Sequence, residues 1–305
     1  LSYQHLYHAG NMADVHKHSL LVWMLQYLTQ KEKPISYIET HAGRALYDLN
    51  SDEAIKTGEA TEGINRDLAA NWLGGAHPYL QVLTTIRAQH GPHSYPGSPL
   101  LAAKTLRATD NLHLAELHPQ ETTALEYAVS PYQARCYAQE GLALAQSLCP
   151  PMPRRGMLLI DPSYEMKSEY GTLPGFIRQI HRKWPVGIIV LWYPLLTTGM
   201  HHSMLREPEH SCPEALRHEV AFPPTRPCDV HTLERDSPCG VGFYWITYAA
   251  GWGHGTIPPK GLKASGPGTL TERFCPSPSR ATNVNIPSVT LTSWDPSIRP
   301  LSAQA

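Results

Sequence analysis

Asp161, Pro162 and Tyr164 directly follow an apolar run, Met157–Ile160, which is typical of a buried strand. Proline cannot donate to a sheet ladder, so Pro162 ends the strand and leaves a carboxylate, a rigid carbonyl and an aromatic ring at its carboxyl edge. The Asp161 carboxylate and the Pro162 carbonyl can each accept one N–H, and the Tyr164 ring can stack on a flat group. These three groups therefore suit a planar substrate that bears an amino group. The simpler alternative is a turn that ends a strand and carries a surface tyrosine.

Two further acids follow strand-like segments. Residues 111–116 have strand composition and end in Glu116, and Glu140 comes shortly after residues 134–138. Because parallel strands end at one edge of an open α/β sheet, and ligands bind there, we expect these two acids and Asp161 on one rim. An acid at the end of the second strand typically binds ribose hydroxyls, and Glu116 has that position. A sheet that is merely structural needs no such set of three carboxylates.

The first strand, residues 35–40, runs directly into the loop His41-Ala42-Gly43-Arg44-Ala45. A strand followed by a turn of small residues is the arrangement with which nucleotide-binding α/β folds approach a cofactor. Ala45 stands where such loops usually carry a second glycine, so the motif is weak on its own. We therefore interpret residues 41–45 as a candidate cofactor loop that needs support from the rest of the chain.

Strands and helices alternate along most of the chain, which predicts an α/β fold with a Rossmann-like, doubly wound parallel sheet. Two helical segments within residues 50–95 interrupt this alternation and indicate an insertion after the first strand. Prolines become frequent beyond residue 207, although residues 217–222 and 241–248 still have strand composition. The predicted divisions are a sheet domain over residues 1–49 and 96–250, a helical insertion over 50–95, and an irregular tail over 251–305.

The N-terminal segment is rich in histidine and leads into a helix. Its apolar residues from Leu20 to Leu28 share one helical face, and Asp14 is the predicted N-cap. So many imidazoles just before a helix predict contact with an anionic ligand or nucleic acid. The alternative is a set of polar side chains on a loop. The histidines are His5, His8, His16 and His18.

Composition excludes few functions. The 305-residue chain has a formal net charge of −1, so nucleic-acid binding would depend on a local patch. It has neither a long apolar run nor a signal-peptide pattern, which predicts a cytoplasmic protein without a membrane partner. The six cysteines form no C-x-x-C pair, so we expect reduced thiols and no metal. A zinc site built from Cys212, Cys228, Cys239 and His210 is a weaker alternative.

Several short motifs follow one another in an order that resembles the RlmJ-type 23S ribosomal RNA adenine-N6 methyltransferases. Together they span roughly residues 1–195, and an ordered series is far more specific than any one member. The motifs are Tyr3 and His5 before His8-Ala9-Gly10-Asn11, then Asp14, Lys17 and His18, then Thr40-His41-Ala42-Gly43, Thr57-Gly58-Glu59, Tyr95-Pro96-Gly97-Ser98-Pro99, Glu116-Leu117-His118-Pro119, Arg154-Arg155-Gly156, Ile160-Asp161-Pro162 and Leu191-Trp192-Tyr193-Pro194.

The resemblance implies a class I fold that uses S-adenosylmethionine, with a seven-stranded sheet whose last strand is antiparallel and with a helical insertion. It implies that 23S ribosomal RNA is the partner, and we infer no obligate protein partner. The catalytic residues would be Asp161, Pro162 and Tyr164. The cofactor would be bound by His18, His41, Ser98, Glu116, Glu140, Gly141 and Asp161. The substrate side would comprise Tyr3, His5 and Tyr164.

The chain departs from the family pattern at three places. Its cofactor loop has Gly43-Arg44-Ala45 where Gly-Ala-Gly is usual, Glu39 and Glu140 replace aspartates, and Ser163 replaces a second proline. Three alternatives remain open at this level. The same apparatus could methylate DNA adenine, because only contacts to the 2′-hydroxyl separate RNA from DNA. Some relatives carry a description as proteins for the use of external DNA. A relative that binds nucleic acid without catalysis is the third alternative, and the three rim acids argue against it.

Overall fold

The computed structural model describes residues 5–196, 199–212, 215–221, 238–246 and 269–274, with side chains described as far as residue 220 except at 69 and 70. Helices and strands alternate through this part of the chain. The α-helices are α1 (Met12–Thr29), α2 (Asp52–Thr57), α3 (Arg66–Ala70), α4 (Pro78–His90), α5 (Ser98–Thr105), α6 (Pro119–Val129), α7 (Gly141–Leu148), α8 (Glu169–Lys183) and α9 (Met200–Ser211). The strands are β1 (Ser36–Glu39), β2 (Leu46–Asp48), β3 (Ser94–Pro96), β4 (Asn111–Ala115), β5 (Ala134–Tyr137), β6 (Gly156–Ile160), β7 (Ile188–Leu196), β8 (Leu216–Ala221), β9 (Pro238–Ile246) and β10 (Thr269–Phe274).

Eight of these strands form one sheet in the order β10-β8-β9-β7-β6-β1-β4-β5. The five strands from β7 to β5 are parallel, and β9 is antiparallel to both of its neighbours. The chain winds from β1 to one side through β4 and β5, then returns to the other side through β6 and β7. The order therefore reverses between β1 and β6, which is the switch point at which doubly wound sheets bind ligands.

Alternating residues of the central strands fill two separate hydrophobic layers, because successive side chains of a strand point to opposite faces. One layer contains Tyr37, Leu159 and Trp192 and is covered by α1, α5 and α6. The other contains Ile38 and Leu158 and is covered by α8 and α9. Burial on both faces explains why these strands are continuous apolar runs rather than alternating ones.

The predicted insertion is present between β1 and β4, and its helices belong to the main core. Ile64, Tyr79 and Leu83 lie in the same buried cluster as Leu21 and Leu25 of α1. The strands β2 and β3, which we did not predict, pair antiparallel and join the two ends of the insertion. Each strand has only three residues, which is too short for a recognisable alternation of apolar and polar residues. Both strands therefore depend on pairing between segments that are distant in the sequence.

The start of α1 corrects the sequence-based prediction. The N-cap is Asn11, whose Oδ1 accepts the Asp14 N–H at 2.9 Å. Asp14 instead lies in the first turn and its Oδ2 accepts the Gly10 N–H at 2.9 Å. Each of these side chains accepts one backbone N–H at the start of the helix, in an arrangement similar to a capping box. This explains why either residue type looks like a cap in the sequence.

The predicted strands are confirmed with shifts of one to three residues at their ends. The tail prediction is wrong over β10, which pairs with β8 from Thr269↔Ala221 to Phe274↔Leu216. The sheet consequently has eight strands instead of the seven that the resemblance implied. Without β10, β8 would be an edge with unpaired backbone groups, so pairing with β8 outweighs the weak strand pattern of residues 269–274. The division into three domains stays a prediction.

Candidate active site

Asp161 lies immediately beyond β6, at the switch point of the sheet, and pairs with a residue of the first long helix. Its Oδ2 accepts a hydrogen bond from Lys17 Nζ at 2.7 Å. Only 12% of the Lys17 side chain and 24% of the Asp161 side chain are exposed. Burial lowers the pKa of Lys17, but the carboxylates of Asp161 and Asp14 more than offset this and leave that pKa raised. Lys17 is therefore charged at neutral pH, and its ammonium fixes one oxygen of the Asp161 side chain.

Pro162 and Tyr164 lie in the loop that follows Asp161. Pro162 is buried, and Tyr164 has a φ of 59°, which is unusual for an aromatic residue. Two contacts hold Tyr164 in this conformation: its hydroxyl donates to the Trp192 carbonyl at 2.7 Å, and its ring lies 4.8 Å from that of Tyr170. The loop is therefore anchored to β7, and the half-buried Tyr164 ring is held at the sheet edge by its own hydroxyl.

Glu39, the last residue of β1, is fully buried beside this edge. Its Oε2 accepts the Tyr37 hydroxyl at 2.9 Å, and its Oε1 is hydrogen-bonded to the Ser98 hydroxyl. Burial raises the pKa of Glu39 to about 8, although the two hydroxyls and Lys17 act in the opposite direction. The longer side chain that replaces aspartate here thus reaches Ser98, a predicted cofactor residue, which donates inward to Glu39.

His18 is also buried, one position beyond Lys17 on α1. Its Nδ1 lies 2.9 Å from the Tyr95 hydroxyl, which in turn accepts from the Tyr79 hydroxyl at 3.0 Å. Burial lowers the pKa of His18 to about 4, so the imidazole is neutral at physiological pH. The bond to Tyr95 leaves Nε2 for any further contact. The predicted cofactor contact of His18 therefore stays a prediction and would use that nitrogen.

His41 follows β1 and is influenced by the three rim acids that the sequence predicted. Burial lowers its pKa, whereas the carboxylates of Asp161, Glu116 and Glu140 all act to raise it, which shows that all three lie within electrostatic reach of this one imidazole. The His41 Nδ1 is 2.7 Å from the Thr40 hydroxyl. The ends of β1, β4, β5 and β6 thus converge as expected for a parallel sheet.

Glu116 joins the end of β4 to the loop after β1. Its Oε2 accepts the Gly43 N–H at 2.8 Å, and its Oε1 accepts the His118 N–H at 2.8 Å. Each carboxylate oxygen has two acceptor sites, so both oxygens retain one for a ligand hydroxyl. Gly43 has a φ of 62°, a conformation that favours glycine. This pairing positions Glu116 and fits its predicted role toward a ribose.

Glu140 and Gly141 start α7 and have structural roles in addition to the predicted ones. The Glu140 carboxylate caps the helix, accepting from Leu142 N at 2.9 Å and from Ala143 N at 2.6 Å. A Cβ on Gly141 would lie 1.8 Å from the Thr40 carbonyl oxygen, so only glycine lets α7 approach β1 this closely. The cofactor roles of both residues stay predictions, and Glu140 would have to serve with its remaining acceptor sites.

The N-terminal histidines contact other parts of the protein. His5 Nε2 is 2.9 Å from Asp14 Oδ2, and His8 Nδ1 is 2.9 Å from Glu59 Oε1. His16 Nε2 is 3.1 Å from Nδ1 of His218 on β8. Three of these imidazoles therefore have partners within the protein, and contact of the segment with an anionic ligand or nucleic acid stays a prediction. The substrate role of His5 stays a prediction, and Tyr3 lies outside the described residues.

Two residues of this edge were missed by sequence reasoning. Lys17 was noted only within a motif, yet its ammonium lies 2.7 Å from Asp161 and 4.9 Å from the centre of the Trp192 ring. Trp192 was noted only within a strand motif. The available signal for Lys17 was its spacing: it lies three residues after Asp14, on the same helical face. That spacing does not identify a partner on β6.

Two expected absences can be examined within the described residues. No group of three histidine, cysteine or acidic side chains there has a metal-binding arrangement, and Cys228 and Cys239 of the zinc alternative lie outside the described side chains. No helix in those same parts of the chain combines the length and apolar character needed to span a bilayer.

Comparison with known families gives a match over most of this fold. Residues 32–231 match the family model described as "Ribosomal RNA large subunit methyltransferase D, RlmJ". The matched range contains every strand from β1 to β8 and all of the rim acids. It excludes α1 and therefore Lys17.

Three individual proteins are similar to this chain. A ribosomal RNA large subunit methyltransferase J of Escherichia coli (strain K12) is 38% identical over 218 residues, which cover 68% of this chain and 75% of that protein. The protein of the same name from Haemophilus influenzae is 37% identical, with 64% and 71% covered. A crystal structure of a Legionella pneumophila protein superposes with a TM-score of 0.68 at 34% identity, covering 79% of this chain and 88% of that one.

Proposed function

Because the chain belongs to the RlmJ family of ribosomal RNA large subunit methyltransferases, we propose that it transfers a methyl group from S-adenosylmethionine to N6 of an adenine in 23S ribosomal RNA. The observation that carries this proposal is the position of Asp161, whose side chain lies at the switch point and is held on one oxygen by Lys17. The adjacent Pro162 supplies a second acceptor in a fixed position.

The residues around the β1 and β4 ends fit the cofactor. Glu116 retains an acceptor site on each oxygen for the two ribose hydroxyls, and its pairing with Gly43 N–H keeps the cofactor loop against it. His41 lies within electrostatic reach of this acid and of Asp161. When bound, S-adenosylmethionine supplies an electrophilic methyl group. Glu116, His41 and Ser98 would hold it, with Glu140 and Gly141 on the adenine side.

The substrate nitrogen is a poor nucleophile because its lone pair is delocalised into the adenine ring. Among the described residues, Lys17 is the one hydrogen-bond partner of Asp161, through Oδ2. Oδ1 is thus available for one N6–H while the Pro162 carbonyl accepts the other. Two such bonds orient the amino group and favour a pyramidal nitrogen with its lone pair aimed at the methyl group. After transfer, the surplus proton can pass to Asp161 Oδ1.

The target base must leave its stack to reach this edge. The Tyr164 ring, fixed through its hydroxyl to the Trp192 carbonyl, offers a flat surface that replaces the lost stacking. A cytoplasmic location and the absence of an obligate protein partner are part of the same proposal.

The test is methylation of unmodified 23S ribosomal RNA made by transcription, with labelled S-adenosylmethionine and analysis of the digested nucleosides. We expect N6-methyladenosine at a single site, and labelling that is slower by about 100-fold or more with Asp161→Ala. A parallel reaction contains duplex DNA of matched adenine content. Label in the DNA but not in the RNA would replace the proposal with a DNA methyltransferase. Label in neither, from a folded protein that binds the cofactor, would reject adenine methylation.

A further inference from the structure

Ala45 occupies a strained turn next to the proposed cofactor site. It is fully buried and has a φ of 68°, although it has a Cβ. The Leu46 N–H donates to the Arg44 carbonyl at 2.8 Å and closes a three-residue turn around it. A turn of this kind with a positive central φ is the rare form and costs conformational free energy, so it persists only where surrounding contacts enforce it.

This turn connects the two sides of the proposed cofactor site. On one side, the Gly43 N–H donates to Glu116 Oε2 at 2.8 Å. On the other, the Ala45 carbonyl accepts the Gly97 N–H at 2.8 Å, directly before Ser98. A change in the conformation of residues 43–45 would therefore displace Glu116 and Ser98 together.

An ion pair fixes the turn from outside. Arg44 donates from Nε to Glu121 Oε2 at 3.0 Å and from a terminal nitrogen to Oε1 at 2.5 Å. Glu121 lies in the first turn of α6, and only 27% and 16% of the two side chains are exposed. Two parallel hydrogen bonds restrict both the distance between the two side chains and their relative orientation. A surface ion pair with a single contact does not restrict the orientation.

We propose that this Arg44–Glu121 clamp is a positioning device that holds the strained turn at Ala45 and thereby determines the affinity for S-adenosylmethionine. The inference rests on the proposed cofactor site and adds two positioning residues to it. Arg44 acts through the loop, because the guanidinium edge formed by Nε and Nη2 is bonded to Glu121. The competing explanation is that Arg44 contacts the cofactor itself.

Calorimetric titration with S-adenosylmethionine separates these explanations. We expect Arg44→Ala and Glu121→Gln each to weaken binding about tenfold relative to wild type, and the double variant to be no weaker than either single one. The rate at saturating cofactor should fall less than the affinity. Arg178→Ala, which removes an exposed ion pair to Glu207 on the far side of the sheet, is the matched control and should bind as wild type does.

A glycine at position 45 tests the role of strain. Glycine adopts a positive φ without cost, so the turn no longer needs the clamp. In an Ala45→Gly background, Arg44→Ala should therefore weaken binding by less than threefold. A loss confined to Arg44→Ala, with Glu121→Gln unaffected, would overturn the proposal in favour of direct contact. Equal losses in both backgrounds would also overturn it.

The same titrations distinguish failure of the clamp proposal from failure of the proposed function. If wild type itself does not bind the cofactor, both proposals fail. If wild type binds normally and the variants are unaffected, only the clamp proposal is rejected.

Discussion

Lys17 Nζ lies 2.7 Å from Asp161 Oδ2, so a residue of the first long helix contacts the end of β6 across a sequence separation of 144 residues. The same ammonium lies 4.9 Å from the centre of the Trp192 ring. The helix α1 therefore contributes charge to the proposed catalytic edge as well as covering the core. This contact accounts for a hydrophilic Lys17 side chain that is only 12% exposed.

Replacing Lys17 should separate the effect of its charge on methyl transfer from the effect of its packing. Lys17→Met keeps an apolar stem against Trp192 but removes the donor to Asp161. We expect methyl transfer to fall about tenfold or more, because the carboxylate loses the contact that fixes it. Lys17→Arg should retain more activity than Lys17→Met. Single-turnover rates at saturating cofactor measure this, and equal rates for wild type and Lys17→Met would show that the pair has no catalytic role.

Glu39 should make stability fall as pH rises. Its pKa is about 8 in the folded protein against an ordinary value of 4.5, so the folded state binds more protons between these values. The contribution to stability is therefore fully present below about pH 4.5 and is lost as pH rises through about 8. The Glu39→Gln variant has no carboxyl group that could titrate at this position. Relative to this variant, wild type should lose on the order of 2 to 4 kcal/mol of unfolding free energy between pH 5 and pH 8.5.

The comparison with Glu39→Gln is essential because buried histidines make stability depend on pH in the opposite direction. The pKa of His18 is lowered to about 4 by burial, so the stability that it contributes is lost as pH falls below 6.5. His18 is present in both proteins, and its effect cancels in the difference. Denaturant titrations at both pH values give that difference. A difference independent of pH would show that Glu39 titrates normally.

Local patterns were sufficient to predict the central strands and the rim acids. Apolar runs ended by an acid, such as the one before Asp161, specify both a strand and the edge at which it ends. The Lys17–Asp161 pair and the β2–β3 ribbon depend on contacts between distant segments, which no local pattern contains. The Asn11 cap was missed for a different reason. Asn11 and Asp14 are both good capping residues, and only the backbone geometry distinguishes them.

Glu116 should govern cofactor binding. Glu116→Ala removes the acceptors proposed for the ribose and also releases Gly43 N–H. We expect S-adenosylmethionine binding to weaken by about 1 to 3 kcal/mol, the usual range for charge-assisted hydrogen bonds. Glu116→Gln should have a smaller effect because its amide oxygen still accepts. Glu126→Ala, an exposed acid on α6, is the control in calorimetry. Unchanged affinity of a folded Glu116→Ala would remove this residue from the site.

Tyr164 should be sensitive to loss of its hydroxyl alone. Tyr164→Phe keeps the ring but leaves the Trp192 carbonyl without the bond that holds a residue at φ 59°. We expect a loss of about 1 kcal/mol in stability and a several-fold fall in methyl transfer. Tyr164→Ala should lose considerably more activity, because the proposed stacking surface is gone. If Phe and Ala are equally active, the ring does not contact the base.

Asp161 provides the decisive prediction for the proposed chemistry. Asp161→Ala removes the acceptor proposed for one N6–H and the nearby site for the surplus proton. It also leaves the largely buried Lys17 without its nearest carboxylate, although Asp14 Oδ1 remains 3.9 Å from Nζ. Folding should therefore survive with reduced stability, and cofactor affinity should change little if Asp161 mainly faces the substrate. Methyl transfer should fall by about 100-fold or more.

Asp161→Asn distinguishes orientation of the amino group from removal of its proton. The amide oxygen of Asn can still accept one hydrogen bond, from either the adenine amino group or Lys17, but its basicity is gone. If Asp161 mainly orients the amino group, Asp161→Asn should retain clearly more activity than Asp161→Ala. If it must take the proton, the two variants should be equally impaired. Combining each with Lys17→Met resolves the remaining ambiguity, because removal of the lysine frees the Asn oxygen for the substrate. Recovery of activity in Lys17→Met/Asp161→Asn relative to Asp161→Asn would favour orientation. Wild-type rates for Asp161→Ala would show that the carboxyl edge of β6 is not the catalytic edge.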